Sequence, residues 1–145
     1  MRVIGFDNKP YKISFSKNRY KRGKSLLHKS VKKILRDTFP NISLYEEVTL
    51  PGSRRGTKTS PLIADFLIPD LMLVVEAHGE QHFKYTPYFH GAIHQGGKMN
   101  FALAKQRDLY KIEWCKINNI DLVALNYHET EDEWRKKLKT LRPMD

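Results

Sequence analysis

The spacing of apolar positions along this chain divides it into stretches typical of helices and stretches typical of strands. Apolar residues recur at helical spacing from about Ser25 to Thr38 and from about Met99 to Asn118, which predicts two helices. A shorter helix is predicted from about Glu129 to Leu141. Weak alternation over residues 2–15 predicts either a strand pair or an extended arm.

Apolar runs bounded by turn residues predict the strands of a sheet. These runs are Ile42 to Leu50, Pro61 to Ile68, Leu71 to Ala77 and Asp121 to Leu125. Pro69-Asp70 is a turn dipeptide, so the run after it is expected to fold back antiparallel on the run before it. A looser segment from Phe83 to Lys98, rich in Tyr, Phe, His and Gly, interrupts the pattern. After the N-terminal segment, the predicted order is αβββαβα, a mixed sheet flanked by helices in the α/β (α+β) class.

The two central strands carry acids and imidazoles among residues that belong inside a sheet. Because strand side chains alternate, Glu76 and His78 are expected on one face, with Val75 and Ala77 on the other. The antiparallel turn then brings Asp65 beside Glu76 and His78. Two close carboxylates in apolar surroundings require a cation or a proton, and Mg²⁺ prefers such oxygen ligands. The pattern therefore predicts a metal site at Asp65 and Glu76, and the alternatives are pairing with Lys or Arg, or acids at strand ends facing solvent.

Length and composition favour a single folded domain. The chain has 145 residues, of which 40% are hydrophobic and 11% aromatic, and this argues against disorder. We expect one domain over 1–145, with a basic N-terminal arm over 1–23, a core over 24–127 and a C-terminal helix over 128–145. The chain has neither a long apolar run nor a hydrophobic N-terminal signal, which predicts an intracellular, cytoplasmic protein without a membrane partner. The lone Cys115 lies at helical apolar spacing, so it is interpreted as a packed thiol and not as a nucleophile.

The charge of the chain predicts a polyanionic partner, with nucleic acid as the leading candidate. Lys and Arg number 26 against 16 acids, giving a formal net charge of +10. Such residues bind phosphates with salt-dependent affinity, and the alternative for each of them is a solvated charged face. The residues predicted to bind DNA are Arg19, Lys21, Arg22 and Lys24 in a run around Tyr20, and Arg54, Arg55 and Lys58 in a Gly-containing loop. The basic pattern from Arg135 to Arg142 is interpreted as the polar side of an amphipathic helix.

Three motifs in this order carry a resemblance to a known superfamily. They are Ala64-Asp65-Phe66 with Leu67-Ile68-Pro69, then Val75-Glu76-Ala77-His78-Gly79-Glu80-Gln81-His82, then Lys105-Gln106-Arg107-Asp108-Leu109-Tyr110-Lys111, followed by a strand. Together they resemble the PD-(D/E)xK (restriction-endonuclease-like) nucleases, and most closely the Vsr-like branch. That branch holds very-short-patch mismatch endonucleases and phage or intron-associated homing endonucleases with an E-D-x-H-D pattern. The segment Gly79-Glu-Gln-His82 is similar to free-standing phage homing enzymes, and the resemblance covers roughly residues 24–127.

The resemblance implies a phage-type homing endonuclease that hydrolyses double-stranded DNA with Mg²⁺ or Mn²⁺. It implies that Asp65 binds the metal, that His78 works beside the scissile phosphate, and that Asp108 completes the site from the later helix. With Glu76 as a second metal ligand, the metal lowers the pKa of a bound water, and His78 serves as general base or phosphate donor. Asp108 would orient His78. Gln81 and His82 follow the strand towards the same cleft, where they are expected to orient water or contact the phosphate, with a structural role as the alternative for His82.

The chain departs from the E-D-x-H-D pattern at its first acid. The corresponding position on the first helix is His28, and Glu76 supplies an acid that the mismatch-repair branch lacks. We therefore include His28 among the candidate catalytic residues. The alternative is that His28 lies on a helix face near Glu46 or Glu47. Asp108 likewise has an alternative, a surface ion pair at helical spacing with a lysine of its own helix, Lys105 or Lys111.

The same residues are compatible with two other functions. One is a structure-specific nicking nuclease for mismatched or branched DNA, and the other is a DNA-binding module whose catalytic centre has decayed. The segment His90 to His94 is interpreted as a loop over the substrate groove, and its neighbours Tyr85, Tyr88 and Phe89 would wedge into DNA or pack internally. A homodimer would double the contact area on DNA, although the sequence has no clear dimer seam.

Overall fold

The computed structural model of the chain describes residues 1–15, 25–55, 60–84, 90 and 96–141. Several predictions fall outside these residues. They concern the basic residues Arg19, Lys21, Arg22, Lys24 and Lys58, the aromatic residues Tyr85, Tyr88 and Phe89, and His94.

The described residues form a mixed α/β fold with three helices and a four-stranded sheet. The elements are β1 (Arg2–Ile4), β2 (Pro10–Lys12), α1 (Leu26–Thr38), β3 (Tyr45–Thr49), β4 (Ile63–Ile68), β5 (Leu73–His78), α2 (Gly97–Ile117), β6 (Asp121–Asn126) and α3 (Glu131–Leu141). Strands β3, β4 and β5 pair antiparallel in sequence order, whereas β6 pairs parallel to β5. The predicted order αβββαβα and the mixed sheet are therefore confirmed.

The two faces of the sheet are covered by different helices. Helices α1 and α3 cover the first face, where Phe66 and Val75 pack in one buried cluster with Leu35 and Trp134. Helix α2 covers the second face, where Trp114 and Cys115 pack with residues of β4 and β5. Ala77 packs against the first cluster, as the alternation of β5 predicts. The opposite side of β5 therefore faces α2.

The N-terminal residues form a hairpin that packs against the second face. Strands β1 and β2 pair antiparallel, so the predicted strand pair is confirmed. Val3 and Ile13 are buried, at 3% and 5% exposure. The Asn118 side chain, at the end of α2, accepts the Ile4 N–H at 2.6 Å and donates to the Ile4 carbonyl at 2.9 Å. Residues 1–15 are thus part of the packed body, because their apolar side chains complete the core, and residues 16–23 of the predicted basic arm lie outside the described residues.

The reversal of the chain between β4 and β5 is the feature that places the acidic residues of these two strands side by side. Pro69–Leu71 form one 3-10 turn, and Met72 adopts a left-handed conformation with φ 49°. Phe66 then pairs with Val75, and Ile68 with Leu73. The predicted antiparallel return is confirmed, with β5 starting at Leu73 instead of Leu71 because the turn uses the intervening residues.

Cys115 behaves as a packed side chain. It lies on the buried side of α2 and is 1% exposed, and burial raises the pKa of its thiol to about 12. A thiol that stays protonated is a poor nucleophile, which agrees with the sequence interpretation. Among the described residues, no helix is both long and apolar enough to cross a membrane.

Candidate active site

The carboxylates of Asp65 and Glu76 lie side by side on β4 and β5 and bond to each other's strand. Glu76 Oε2 accepts the Asp65 N–H at 2.8 Å, and Asp65 Oδ2 accepts the Ala77 N–H at 2.9 Å. These side-chain bonds occupy backbone donors just beyond the last register pair of the two strands, Phe66 with Val75. The predicted proximity of Asp65 and Glu76 is confirmed, and the reciprocal bonds hold both carboxylates in fixed positions.

Lys111 of α2 is the cation that compensates Glu76. Its Nζ bonds to Glu76 Oε1, and Glu76 itself is 1% exposed. Pairing with a lysine was one of the alternatives for the buried acids, and it is the arrangement found for Glu76. Both Glu76 oxygens therefore have partners within the protein, whereas Asp65 uses only Oδ2 for a hydrogen bond among the described residues.

The buried pair carries strongly perturbed acidities. Burial, followed by the nearby Asp65 charge, raises the pKa of Glu76 to about 8 despite the opposing effect of Lys111. Burial acts to lower the pKa of Lys111, but the charges of Glu76 and Asp65 outweigh it and raise that pKa overall. The proximity of Asp65 to Glu76 thus has an energetic cost that an additional cation would reduce.

We expect replacement of Glu76 by Gln to remove a pH dependence of stability. The pKa of Glu76 is raised from 4.5 to about 8, so the folded state binds a proton in that interval which the unfolded state releases. The free energy of unfolding contributed by Glu76 therefore falls as pH rises between these values, by up to about 1.4 kcal/mol per pH unit. Urea unfolding at pH 5, 6.5 and 8 checks this through the difference between wild type and Glu76→Gln.

The exposed Glu131→Gln variant is the matched control, because it removes a carboxylate from the surface of α3. The Glu76→Gln variant should gain stability relative to wild type as pH rises, and the control should follow wild type. Parallel curves for wild type and Glu76→Gln would contradict the raised pKa.

His82 and Asp108 form a second pair beside the carboxylates. His82 lies in a 3-10 turn directly after β5, and its Nδ1 is 2.9 Å from Asp108 Oδ2 on α2. Asp108 therefore pairs with His82, and not with the lysines of its own helix proposed as the alternative. Burial acts to raise the pKa of Asp108, but the hydrogen bond from His82 together with the charges of His82, His78 and Lys111 outweighs it, and the pKa is lowered overall. An ionised Asp108 fixes the His82 tautomer, with Nδ1–H donating and Nε2 left as the acceptor.

His78 stacks on His82. The ring centroids are 4.1 Å apart, and the ring planes are inclined by 7°. Burial, together with the positive charge that His82 can carry, lowers the pKa of His78 to about 4. Charges on Asp65, Asp108 and Lys111 also act on His78, which shows that the two pairs and the stacked ring form one cluster. His78 is therefore neutral near pH 7.

The histidines and Asp108 do not form a ready metal site in this arrangement. One potential ligand atom from each of His78, His82 and Asp108 lies within 4.8 Å of the others. However, the nitrogen lone pairs of parallel stacked imidazoles lie in two parallel planes and do not both converge on one ion. In addition, His82 Nδ1 is already bonded to Asp108. The geometry favours proton transfer or phosphate contact over metal binding at these rings.

His28 lies in a separate pair. Its ring stacks on Phe66 at 4.4 Å, and its Nε2 is 2.9 Å from Glu46 Oε1. Lys32 bonds the other oxygen of Glu46 at 2.8 Å. Among the described residues, His28 has no hydrogen bond or ion pair with the Asp65 cluster. His28 therefore lies on a helix face near Glu46, as the alternative to a catalytic role predicts.

The other candidate residues are placed as follows. Gln81 folds back over Gly79, where an added Cβ would lie 2.5 Å from Gln81 Oε1. A side chain at position 79 would therefore require the flexible Gln81 side chain to shift. Arg55 lies 4.0 Å from the Phe6 ring centroid and is bonded to Glu113 at 2.5 Å, so its guanidinium is fixed against the body of the protein. Arg54 lines a neighbouring surface depression with Asp7 and Gly52.

Sequence reasoning missed two residues of this region. Lys111 was named only as the last residue of the third motif and as a partner for Asp108, although a lysine three residues before Trp114 on a buried helix face is a signal for a buried cation. Asn126, at the end of β6, is the register partner of His78. Its Oδ1 is buried without a hydrogen-bond partner among the described residues, and no sequence signal distinguished it.

Comparison with known proteins gives one viral relative. The chain is 36% identical over 63 residues to the uncharacterized protein 307L of Invertebrate iridescent virus 6. The match covers 43% of this chain and 29% of the length of the viral protein. No protein-family profile and no solved structure matches the chain.

Proposed function

We propose that this chain is a metal-dependent endodeoxyribonuclease with a PD-(D/E)xK, Vsr-like core. The observation that carries the proposal is the convergence of Asp65, the Glu76–Lys111 pair and the stacked His78–His82–Asp108 group at the ends of β4 and β5 beside α2. A carboxylate, a buried cation and an oriented imidazole are the groups that phosphodiester hydrolysis requires. The formal net charge of +10 supports a nucleic acid as substrate.

The donor set at Asp65 fits Mg²⁺ or Mn²⁺. Asp65 is partly buried, and its Oδ1 accepts no hydrogen bond among the described residues. Mg²⁺ commonly uses one or two carboxylates and keeps several waters, so Asp65 would hold it, with Glu76 joining if Lys111 moves away. The metal would supply an acidified water and neutralise charge on the phosphate.

The remaining residues move a proton and bind the phosphate. His82, with its Nδ1 bonded to Asp108, presents Nε2 as the acceptor for a proton from water. This assigns the general base to His82, whereas the sequence alone favoured His78. The neutral His78 ring packs against His82, and Lys111 places a positive charge beside Glu76 and Asp65. Asp108 is a positioning residue, because it orients His82.

Cleavage of supercoiled plasmid tests this function. Wild-type protein freed of metal should leave the plasmid intact in EDTA and should nick or linearise it when Mg²⁺ or Mn²⁺ is added. Discrete fragments from phage or host-type genomic DNA would support a homing enzyme. Intact DNA with every metal, together with salt-sensitive binding, would overturn the enzyme and leave a DNA-binding module.

A further inference from the structure

Helix α2 exposes more large apolar side chains than any other described element. Five of the nine exposed large hydrophobic side chains among the described residues belong to it, namely Met99, Leu103, Leu109, Ile112 and Ile117. Leu109 and Ile112 are 64% and 42% exposed, and they lie on the same side of the helix because they are three residues apart. The side that packs on the sheet instead carries Trp114 and Cys115. Neighbouring exposed apolar side chains of this kind favour contact with another protein surface.

Charged side chains of opposite sign flank these two residues. Lys105 lies four residues before Leu109 and Glu113 lies four residues after it, so both share this side of α2. Lys105 has no ion pair among the described residues, and the Glu113 side chain is 56% exposed and uses only Oε2 for its bond with Arg55. Both charges are therefore accessible to a partner. Lys105, Leu109, Ile112 and Glu113 together are called the α2 stripe.

The α2 stripe is complementary to itself. When two α2 helices pack antiparallel around a twofold axis at Leu109, Lys105 of each copy lies opposite Glu113 of the other copy. The twofold axis repeats each contact, so two Lys–Glu pairs flank a central contact of Leu109 and Ile112. A parallel arrangement would set Lys105 against Lys105, so the charges favour the antiparallel one. Glu113 would repel phosphates, so the stripe fits a second copy better than it fits DNA.

The α2 stripe lies next to the candidate active site. Asp108, which pairs with His82, directly precedes Leu109 on α2. A twofold axis at Leu109 therefore places one candidate active site on each side of the axis, close to it. The two strands of a DNA duplex are antiparallel, so a twofold-symmetric pair of sites matches their symmetry.

We propose that the α2 stripe binds the α2 stripe of a second copy of the chain, giving an antiparallel homodimer whose two active sites act on the two strands of DNA. The dimer itself is independent of catalysis, whereas its role in cutting both strands rests on the proposed nuclease function. Two large apolar side chains per copy cover much less than the about 800 Å² per partner of a standard interface. The dimer is therefore reversible, and we expect it to form at micromolar concentrations.

Sedimentation velocity over a micromolar concentration series, in EDTA and without DNA, tests the dimer. Wild type and the matched control Lys136→Glu, which changes an exposed lysine of α3, should both dimerise. Lys105→Glu sets carboxylates against each other, and Glu113→Lys sets ammonium groups against each other. Each variant alone should therefore weaken dimerisation at least about tenfold. An equimolar mixture of these two variants should recover the dimer, because each copy then meets the opposite charge in the other.

Monomeric wild type across the whole series would overturn the inference, and so would a mixture that is no more dimeric than its two components. Leu109→Asp should also be monomeric, and its fold should persist because Leu109 is 64% exposed.

Plasmid cleavage tests the role of the dimer. Wild type should linearise supercoiled plasmid, whereas Leu109→Asp should accumulate the nicked form. Equal linearisation by both proteins at the same concentration would overturn the role in cutting both strands. Cleavage by a monomeric wild type would reject the dimer and keep the nuclease, whereas a dimer without metal-dependent cleavage would reject the nuclease and keep the dimer.

Discussion

Replacing Asp65 with Asn is expected to lower the rate of DNA cleavage by at least about 10³-fold, the scale on which single electrostatic groups act in active sites. The reason is that Asp65 is a partly exposed carboxylate of the cluster, and its Oδ1 accepts no hydrogen bond among the described residues. An amide oxygen is a weak substitute for a carboxylate at a hard divalent ion. Initial rates of plasmid nicking in Mg²⁺ and Mn²⁺ measure the loss.

The Asp65→Asn variant should remain folded. Its side-chain oxygen can still accept the Ala77 N–H, and removal of the negative charge relieves the repulsion that raises the pKa of Glu76. The control is Asp70→Asn, which removes an exposed acid from the turn between the same two strands. Cleavage by Asp65→Asn at a rate near that of the control would contradict the assigned site.

Replacing His82 with Gln is expected to lower the cleavage rate by about 10²–10⁴-fold, the usual contribution of a general base. Glutamine can still donate a hydrogen bond to Asp108 but does not accept a proton near neutral pH. Asp108→Asn should give a similar loss, because an amide no longer selects the His82 tautomer with a free Nε2. The double variant should be about as slow as either single variant, since the two residues act as a unit.

A histidine outside the His82–Asp108 pair gives the comparison for these variants. Its replacement should leave the cleavage rate near that of wild type, whereas His82→Gln should lower it. His128→Gln is the matched control, because His128 is an exposed histidine near the same strand end. Multiplicative losses in the double variant, or equal cleavage rates for His82→Gln and His128→Gln, would show that the pair does not act as the general base.

Much of the fold could be predicted because its signals are local. The apolar stripe of α1 and the cap at Ser25, whose hydroxyl accepts the His28 N–H at 3.1 Å, are both visible in a few consecutive residues. Pro69-Asp70 likewise marked the reversal that aligns Asp65 with Glu76. The boundaries were less certain, since β3 starts at Tyr45 and not at Ile42, which packs against the first cluster before the strand begins.

The connections within the candidate site could not be predicted in the same way, because they join distant parts of the chain. His82 and Asp108 are 26 residues apart, and Glu76 and Lys111 are 35 apart. Helix α2 also leaves Met99, Leu109 and other apolar residues exposed, so its pattern does not reveal which side faces the sheet. The sequence therefore identified the acids and histidines but not the pairing of His82 with Asp108 or of Glu76 with Lys111.

His28 illustrates how a motif position can serve packing. The family pattern places an acid there, and the chain instead pairs His28 with Glu46 over the ring of Phe66. Lys32 completes this group with a second bond to Glu46. An imidazole held between an aromatic ring and a carboxylate stabilises the contact of α1 with the sheet, and a catalytic role for His28 stays a prediction.

Binding of Mn²⁺, followed by electron paramagnetic resonance with and without duplex DNA, tests the central claim most directly. The claim is that the cluster around Asp65 holds the metal that hydrolyses DNA. Wild type and Asp70→Asn should bind Mn²⁺ and lose the free-ion signal, whereas Asp65→Asn should leave that signal unchanged. Equal Mn²⁺ binding by wild type and Asp65→Asn would contradict the account and place the metal elsewhere.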